Sequence, residues 1–164
     1  MTEQGDRGIE SLLIWKRAID YVVLINQKVL PRLPSSEKFS LSSQLRRSAQ
    51  SVPANIAEGF GRFYYQEGIR FCYIARGSLE ETYSHLVLAN KLGYLSEELF
   101  GECVDKTQEI RKLINGYIRY LKRSKRGSNE PGNNLIHENL SAYLLDDWPF
   151  IENEEKDRDD NPIA

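Results

Sequence analysis

Hydrophobic positions recur every three or four residues in four long segments of the chain, which is the spacing that places side chains on one face of an α-helix. The clearest stripe comprises Leu41, Leu45, Ala49, Val52 and Ile56. Arg46 and Arg47 fall on other faces of the same predicted helix. We therefore expect the apolar residues to face inward and the two guanidinium groups to face outward.

Proline and serine residues mark the ends of the first two predicted helices. The first begins at about Ser11 and ends at Leu30 or Leu33, before Pro31 or Pro34, since proline lacks the N–H that a helix interior needs. Its two apolar stripes are Trp15, Ala18, Val22, Ile25 and Val29, and Leu12, Ile19, Val23 and Leu30. Ser40 is the predicted N-cap of the second helix. Pro53 inside that helix predicts a kink, and Gly59 and Gly61 predict the exit of the chain.

A third helix is predicted over residues 66–92 and a fourth up to about Arg123. The apolar face of the third comprises Ile69, Cys72, Tyr73, Leu79, Tyr83 and Leu86, beside a stripe of Ala75, Ser78, Thr82 and Ala89. That of the fourth comprises Leu99, Cys103, Ile110, Leu113, Ile114, Tyr117 and Leu121. Between the two helices, Gly93 is a predicted C′ residue and Ser96 a predicted N-cap.

Four helices with short connections predict an all-α fold, an antiparallel up-down-up-down four-helix bundle with a kinked second helix. The bundle is expected to span residues 11–123, after a flexible arm at residues 1–10. Residues 124–134, rich in Ser, Gly, Asn and Pro, are predicted to be a linker. Residues 135–164 form an acidic C-terminal tail that contains aromatic residues.

Three segments carry a resemblance to a known family: QLRRSAQSVPANIAEGFGR at 44–62, IRFCYIARGSLEE at 69–81 and LANKLGYLSEE at 88–98. In this order and spacing, the chain resembles, over residues 10–123, the four-helix-bundle proteins encoded in intervening sequences of bacterial large-subunit ribosomal RNA genes. Their relatives are the accessory variability proteins of diversity-generating retroelements. The resemblance implies a homo-oligomer, often a pentamer, and the retroelement relatives bind a reverse transcriptase and nucleic acid.

Composition and charge bound the alternatives. The chain has 164 residues, of which 40% are hydrophobic and 28% charged, and this is the size and composition of one globular domain. No apolar run of about 18 residues predicts a membrane span, and the first ten residues lack the apolar core of a signal peptide, so a cytoplasmic location is expected. The net charge of −2 hides an asymmetry: residues 1–126 carry a net +6, whereas residues 127–164 carry a net −8.

The sequence offers no constellation that is typical of an enzyme or a metal site. Cys72 and Cys103 lie in apolar helical patterns, which favours buried free thiols. His85 lies 13 residues from Cys72, a spacing that does not suit structural zinc, and no sequence neighbour of His85 suggests a triad. Glu80 and Glu81 are expected to be surface charges, and Glu58 to pair with Arg62 at a helix end or between subunits. We expect no cofactor and no small-molecule substrate.

Basic residues are the candidate nucleic-acid-binding site. They are Arg46, Arg47, Arg62, Arg70 and Arg76 in the second and third helices, and Arg119, Lys122 and Arg123 at the end of the fourth. Cations that neutralise phosphates bind RNA or DNA with an affinity that falls as salt rises. Ion pairs between subunits, or solvated faces and helix-dipole interactions, are the alternative roles of these residues. An oligomer would concentrate their charge and add avidity.

The tail carries two alternative hypotheses. Residues 135–155, being acidic, are predicted to screen the basic surface, so deleting them should tighten RNA binding at low salt; a disordered solubilising tail is the plain alternative. In a different class of function, Tyr143, Trp148 and Phe150 dock to a partner protein and the bundle supplies valency. Docking through aromatic side chains should change little with salt, unlike phosphate binding.

Overall fold

The computed structural model describes residues 8–123 as a helical structure. Its four α-helices are α1 (Leu13–Leu24), α2 (Leu41–Phe60), α3 (Tyr65–Lys91) and α4 (Glu97–Arg123). Short 3-10 turns lie at Ile9–Ser11 and Ser35–Glu37, and no strand occurs within residues 8–123. Most of the predicted arm, the linker at 124–134 and the acidic tail lie outside the described residues.

The helical path of α1 continues as a π-helical turn, Ile25–Val29, and a 3-10 turn, Leu30–Arg32. The predicted apolar stripes of this segment do not coincide with its buried face, because Trp15 and Val22 are only partly buried and Val23 is exposed. The buried side chains of the segment are Ile14, Ala18, Tyr21, Leu24, Ile25 and Val29. Tyr21 can be fully buried because its hydroxyl lies 2.7 Å from Thr107 Oγ1, which satisfies the polar atom. The predicted end before Pro34 is confirmed.

Small and hydroxyl-bearing side chains line the contact between α2 and α3. The Thr82 hydroxyl donates to Ser48 Oγ at 3.0 Å, and the Ser51 and Ser78 hydroxyls lie 2.9 Å apart. Asn55 Nδ2 donates to Ser51 Oγ at 2.9 Å and extends this chain of hydrogen bonds. The predicted small-residue stripe of the third helix is therefore confirmed as a buried face, and its polar atoms find partners in α2.

Gly59 has a role that its position near a helix end did not reveal. A Cβ atom built on Gly59 would lie 2.9 Å from Phe71 Cβ and 3.0 Å from the carbonyl oxygen of Gly68. A Cβ on Gly68 would in turn lie 3.0 Å from the Gly59 carbonyl oxygen. The glycine pair thus permits the close approach of two backbones, whereas Gly61, which caps α2, adopts ordinary right-handed angles.

The connection between α3 and α4 follows the prediction closely. Gly93 has a φ of 75° and donates its N–H to the Asn90 carbonyl, while Tyr94 donates to the Ala89 carbonyl. This pair of hydrogen bonds is a Schellman motif, whose left-handed residue is most often glycine because a Cβ is disfavoured there. Ser96 Oγ accepts the N–H of Leu99 at 3.2 Å, so the predicted N-cap is confirmed.

The N-terminus of α2 is capped differently from the prediction. Ser40 makes no side-chain cap hydrogen bond to its helix; its hydroxyl donates to the carboxylate of Glu37 instead. Glu37 Oε2 accepts the N–H of Leu41 at 3.3 Å and therefore takes the capping role. The Ser40 hydroxyl, followed by the Leu41 N–H, holds the pKa of Glu37 below its usual range.

The remaining features of the described helices place the core. The predicted inward stripe of α2 is buried, with Arg46 and Arg47 exposed. Helix α2 runs unbroken through Pro53, and the predicted kink stays a prediction. Helix α1 contacts α2 and α4, and α3 contacts α2 and α4, around one hydrophobic core. None of the helices in residues 8–123 combines the length and apolar character that crossing a bilayer requires.

Candidate nucleic-acid interface

Five of the eight predicted phosphate-binding residues are fully available on the surface. Within residues 8–123, none of these five makes an ion pair or a cation–π contact. They are Arg46, Arg47, Arg70, Arg119 and Arg123. An exposed guanidinium without an internal partner can bind a phosphate without first breaking an interaction in the protein.

The predicted residues do not form one cluster. Arg47 lies in the second turn of α2, and Arg62 lies two residues beyond the end of that helix at Phe60. About 20 Å of helix therefore separates Arg47 from the end of α2 near Arg62. Arg46 and Arg47 therefore make a first group in the early turns of α2. The second group gathers around the first turns of α3, where the end of α2 and the end of α4 meet them.

Tyr73 links α3 to the end of α4 in this second group. The Arg76 guanidinium carbon lies 5.0 Å from the centroid of the Tyr73 ring, and Lys122 Nζ lies 5.4 Å from it. Arg76 also donates to Asn115 Oδ1 at 3.1 Å and is partly buried. Both cations are therefore held in position by contacts between helices, and Arg76 has the least freedom to meet a phosphate.

Arg62 is held at the end of α2 by two contacts. It pairs with the Glu58 carboxylate one turn earlier, which confirms the predicted helix-end ion pair. Its guanidinium carbon also lies 4.8 Å from the centroid of the Phe71 ring of α3. These contacts fix the direction of the guanidinium and partly neutralise its charge, so Arg62 orients more than it attracts.

Sequence reasoning missed the exposed aromatic residues of the connection between α2 and α3. We call Phe60, Phe63 and Tyr64 the aromatic turn; their exposed fractions are 42%, 89% and 44%. The rings of Phe63 and Tyr64 meet edge to face, with centroids 5.2 Å apart. The signal was present in the run FGRFYY at 60–65, where aromatic residues flank a basic residue in a turn. Tyr120 of α4, stacked on Tyr117, is 58% exposed as well.

Glu80 has a structural partner that the sequence did not indicate. Arg111 of α4 donates to both of its carboxylate oxygens, from Nε and Nη2, at 2.7 Å each. The hydrogen bond to Glu80 raises the pKa of Arg111 further above its ordinary value. This bidentate pair joins α3 to α4, and Glu80 is more than the surface charge that the sequence predicted. Glu81 points elsewhere, with one oxygen 3.7 Å from His85 Nε2.

The two thiols are buried and free, as predicted. Burial raises the pKa of Cys72 and that of Cys103 to about 12, so both are neutral and unreactive near pH 7. Among residues 8–123, no group of three or more His, Cys, Asp or Glu side chains has the arrangement to hold a metal ion. The part of the chain that the structure describes thus presents charged and aromatic side chains on its surface.

Comparison with known proteins agrees with this picture of a helical bundle. A family model described as 23S rRNA-intervening sequence protein matches residues 10–116. A crystal structure of a protein with unknown function from the S23 ribosomal protein family of Bacteroides thetaiotaomicron is similar, with a TM-score of 0.59 and 26% sequence identity. That similarity covers 65% of this chain and 98% of the other. No curated protein matches the chain.

Proposed function

Because the chain belongs to the 23S rRNA-intervening sequence protein family, we propose that it is a non-enzymatic, oligomeric four-helix bundle that binds nucleic acid or a ribonucleoprotein as an accessory. The observation that carries the proposal is the set of exposed cations, Arg46, Arg47, Arg70, Arg119 and Arg123, that lack partners within residues 8–123. Because the family is associated with 23S rRNA intervening sequences, RNA is the first nucleic acid to test and DNA the second.

We further propose the antiparallel up-down-up-down arrangement for the bundle. Residues that pair across helices support it, since their numbers rise on one helix as they fall on the other. Thr82 pairs with Ser48, Ser78 with Ser51, and Gly68 lies against Gly59. Between α1 and α4, Arg17 pairs with Glu109 at 2.9 Å and Lys28 with Glu102 at 2.8 Å.

Self-association, as a pentamer by family resemblance, is part of the proposal. Three helix-interior glycines support it, because a Cβ on Gly77, Gly101 or Gly116 would meet nothing within 4 Å. A glycine inside a helix costs about 0.5–1 kcal/mol relative to alanine, and nothing in the described part of one chain needs these three. Close approach of a second copy would account for them, and the solution mass tests this directly.

The binding proposal is tested by titrating RNA and DNA into the full chain at two salt concentrations. Raising monovalent salt from about 50 to 200 mM is expected to weaken binding at least tenfold, since phosphate contacts release counterions. Replacing Arg46 and Arg47 by alanine should reduce the slope of log K against log salt by roughly one for each of the two arginines that binds a phosphate. Lys91→Ala, which removes an exposed cation in the last turn of α3 that is not among the predicted binding residues, is the matched control. Absence of binding to either polymer at low salt would refute the proposal.

Other parts of the proposal need separate tests. Cytoplasmic location and a reverse transcriptase partner, as in the retroelement accessory proteins, are tested by cell fractionation and by co-purification with a neighbouring reverse transcriptase. Residues 135–155, which lie outside the described residues, are proposed to screen the cations; their deletion should tighten RNA binding at low salt.

A second candidate function is a protein-binding scaffold that uses Tyr143, Trp148 and Phe150, which also lie outside the described residues. The tail's composition favours it: aromatic residues in an acidic segment of net −7 are typical of segments that fold on a partner. Replacing the three aromatic residues by alanine should then abolish partner capture without changing RNA affinity. Loss of RNA affinity in that variant would contradict the scaffold.

A further inference from the structure

The aromatic turn exposes more ring surface than its role as a connection requires. Phe63 is 89% exposed, and its ring touches only the edge of Tyr64 among the aromatic residues of the described chain. A phenylalanine in water forgoes the burial that would make it stabilising, and a polar residue would close this four-residue connection equally well. Folding therefore does not account for the aromatic character of Phe63.

Two arginines lie close to these rings in the chain. Arg62 lies next to Phe63 in the chain, and its direction is fixed by Glu58 and by the Phe71 ring. Arg70 is exposed in the second turn of α3 and makes no ion pair within residues 8–123. Proteins that bind single-stranded nucleic acids combine two components: aromatic rings on which bases stack, and basic side chains that bind phosphates. The aromatic turn and the nearby arginines supply both.

We infer that the aromatic turn is a stacking platform for the unpaired bases of single-stranded RNA, with Phe63 and Tyr64 receiving bases and Arg70 meeting the phosphate backbone. The inference rests on the proposed RNA binding and specifies its substrate class. A duplex keeps its bases inside the stack, so a protruding phenylalanine cannot reach their faces, whereas an unpaired strand offers them freely.

The size of the aromatic turn argues against a second copy of the chain as its occupant. The exposed fractions of the three rings correspond to about 350 Å² of aromatic side-chain surface, given about 200 Å² for one ring residue. Stable protein interfaces bury about 800 Å² on each partner. A patch of this size is too small for an interface and sufficient for two or three bases.

The first test compares substitutions of Phe63 in the full chain, with a 20-nucleotide oligouridine RNA as the probe. Phe63→Ala should weaken binding about 5- to 100-fold, because a base stacked on an aromatic ring contributes on the order of 1–3 kcal/mol. Phe63→Trp should keep or tighten binding, since tryptophan preserves the stack. Phe63→Leu keeps apolar surface without a ring and should behave like alanine; wild-type affinity in the leucine variant would overturn stacking.

Phe39 provides a matched control, because it is a phenylalanine of nearly equal exposure, 87%, in a different turn. Lys38 Nζ lies 5.3 Å from the centroid of the Phe39 ring and occupies one of its faces, which leaves this ring less open to a base than that of Phe63. Phe39→Ala should therefore leave the affinity for oligouridine unchanged. An equal loss in Phe39→Ala and Phe63→Ala would show that any exposed ring behaves alike and would contradict the platform.

Two further probes separate this inference from the proposal on which it rests. A 20-base-pair RNA duplex should bind Phe63→Ala and the wild type equally, since a duplex offers phosphates but no free bases. An oligothymidine DNA that binds more tightly than oligouridine would overturn RNA as the occupant. If the wild type binds oligouridine and Phe63→Ala binds it equally well, the platform fails while RNA binding stands; if the wild type binds no RNA, both fail.

The oligomeric state of Phe63→Ala closes the remaining alternative. Because Phe63 is almost fully exposed, its replacement should change neither the helical circular dichroism nor the solution mass. A variant with a lower solution mass than the wild type would identify the aromatic turn as a contact between copies and would overturn the inference.

Discussion

The two connections that join α2 to α3 and α3 to α4 treat their side chains in opposite ways. In the second connection, Leu95 is buried, Tyr94 packs on the core and its hydroxyl donates to Glu37 Oε1 at 3.4 Å, and Ser96 caps α4. In the first, Phe63 projects into solvent. We call these the capped connection (residues 92–96) and the aromatic turn.

The contrast shows which connection the fold depends on. Every side chain from Tyr94 to Ser96 has a structural partner, so the capped connection sets where α3 ends and α4 begins. The packing of α2 against α3 is instead fixed by the Gly59–Gly68 contact and by the hydrogen-bonded hydroxyls between the two helices. The fold therefore does not depend on the side chains of the aromatic turn, and these residues are available for a ligand.

The largest expected effect compares the halves of the core behind the two connections. Cys72 lies near Tyr117, on the side of the aromatic turn, and Cys103 near Lys28 and Glu102, on the other side. In the unfolded chain a thiol loses its proton near pH 9, whereas burial raises the pKa of both folded thiols to about 12. Stability should be complete below pH 9 and fall by several kcal/mol between pH 9 and 12, since each pKa unit is about 1.4 kcal/mol.

Urea unfolding at stepped pH measures this effect, and Cys72→Ala and Cys103→Ala should each flatten the alkaline loss. If neither variant changes the slope between pH 9 and 12, the thiols are not its cause. Equal flattening by both would show that the two halves of the core are equally sealed from water.

The next effect tests whether the first hairpin depends on its glycine pair. Gly59→Ala should destabilise the protein by about 1–3 kcal/mol, because its Cβ would overlap Phe71 and the Gly68 carbonyl. Thermal or urea unfolding measures the change. Gly77→Ala is the matched control: its Cβ meets no atom, so a monomer should gain about 0.5–1 kcal/mol. Gly59→Ala as stable as Gly77→Ala would remove the close approach from the account.

A smaller effect tests the cap of α4. Ser96→Ala removes the acceptor of the Leu99 N–H and should cost about 1 kcal/mol of unfolding free energy. The control is Ser84→Ala, a serine within α3, where alanine favours the helix and should be neutral or slightly stabilising. The cap would be unimportant if the two variants unfolded at the same denaturant concentration.

The weakest effect concerns the aromatic turn itself. Phe63→Ala should change the unfolding free energy by less than about 0.5 kcal/mol, because exposed positions away from caps and the core tolerate substitution. Chemical unfolding of the full chain measures it. A loss above about 1 kcal/mol, twice the range expected of such positions, would give the aromatic turn a structural role after all.

Local signals predicted much of the fold, and contacts between distant segments account for what they missed. Local sequence predicted the roles of Gly93 and Ser96 and the buried stripe of α2, because the partners of these residues lie within one or two helical turns. The role of Gly59 depends on Gly68 and Phe71, which belong to another helix. The capping role of Glu37 depends on the shape of the turn before α2, and hydrophobic periodicity carries no information about that shape. Tyr21 was missed because its burial requires the Thr107 hydroxyl, 86 residues away.

The candidate site was predicted by residue type but not by position. Counting arginines identified exposed cations correctly, yet no sequence rule placed Arg47 and Arg62 in separate groups or gave Arg76 its contact with Asn115. Solvent exposure is also a property of the folded surface. The rings of the aromatic turn resemble core residues in the sequence, and only the structure shows that they are 42–89% exposed.

The hydroxyl chain between α2 and α3 bears on how the bundle could be engineered. Sliding one helix past the other by a turn would break the Thr82–Ser48 and Ser51–Ser78 hydrogen bonds, at a cost of about 0.5–1.5 kcal/mol for each bond. The hydroxyls of Ser48, Ser78 and Thr82 would keep only their bonds to carbonyls of their own helices. These hydrogen bonds therefore fix the position of α2 relative to α3, independently of the loop that joins the two helices. A peptide tag inserted in residues 61–64 should therefore leave the two helices aligned while it disrupts the aromatic turn.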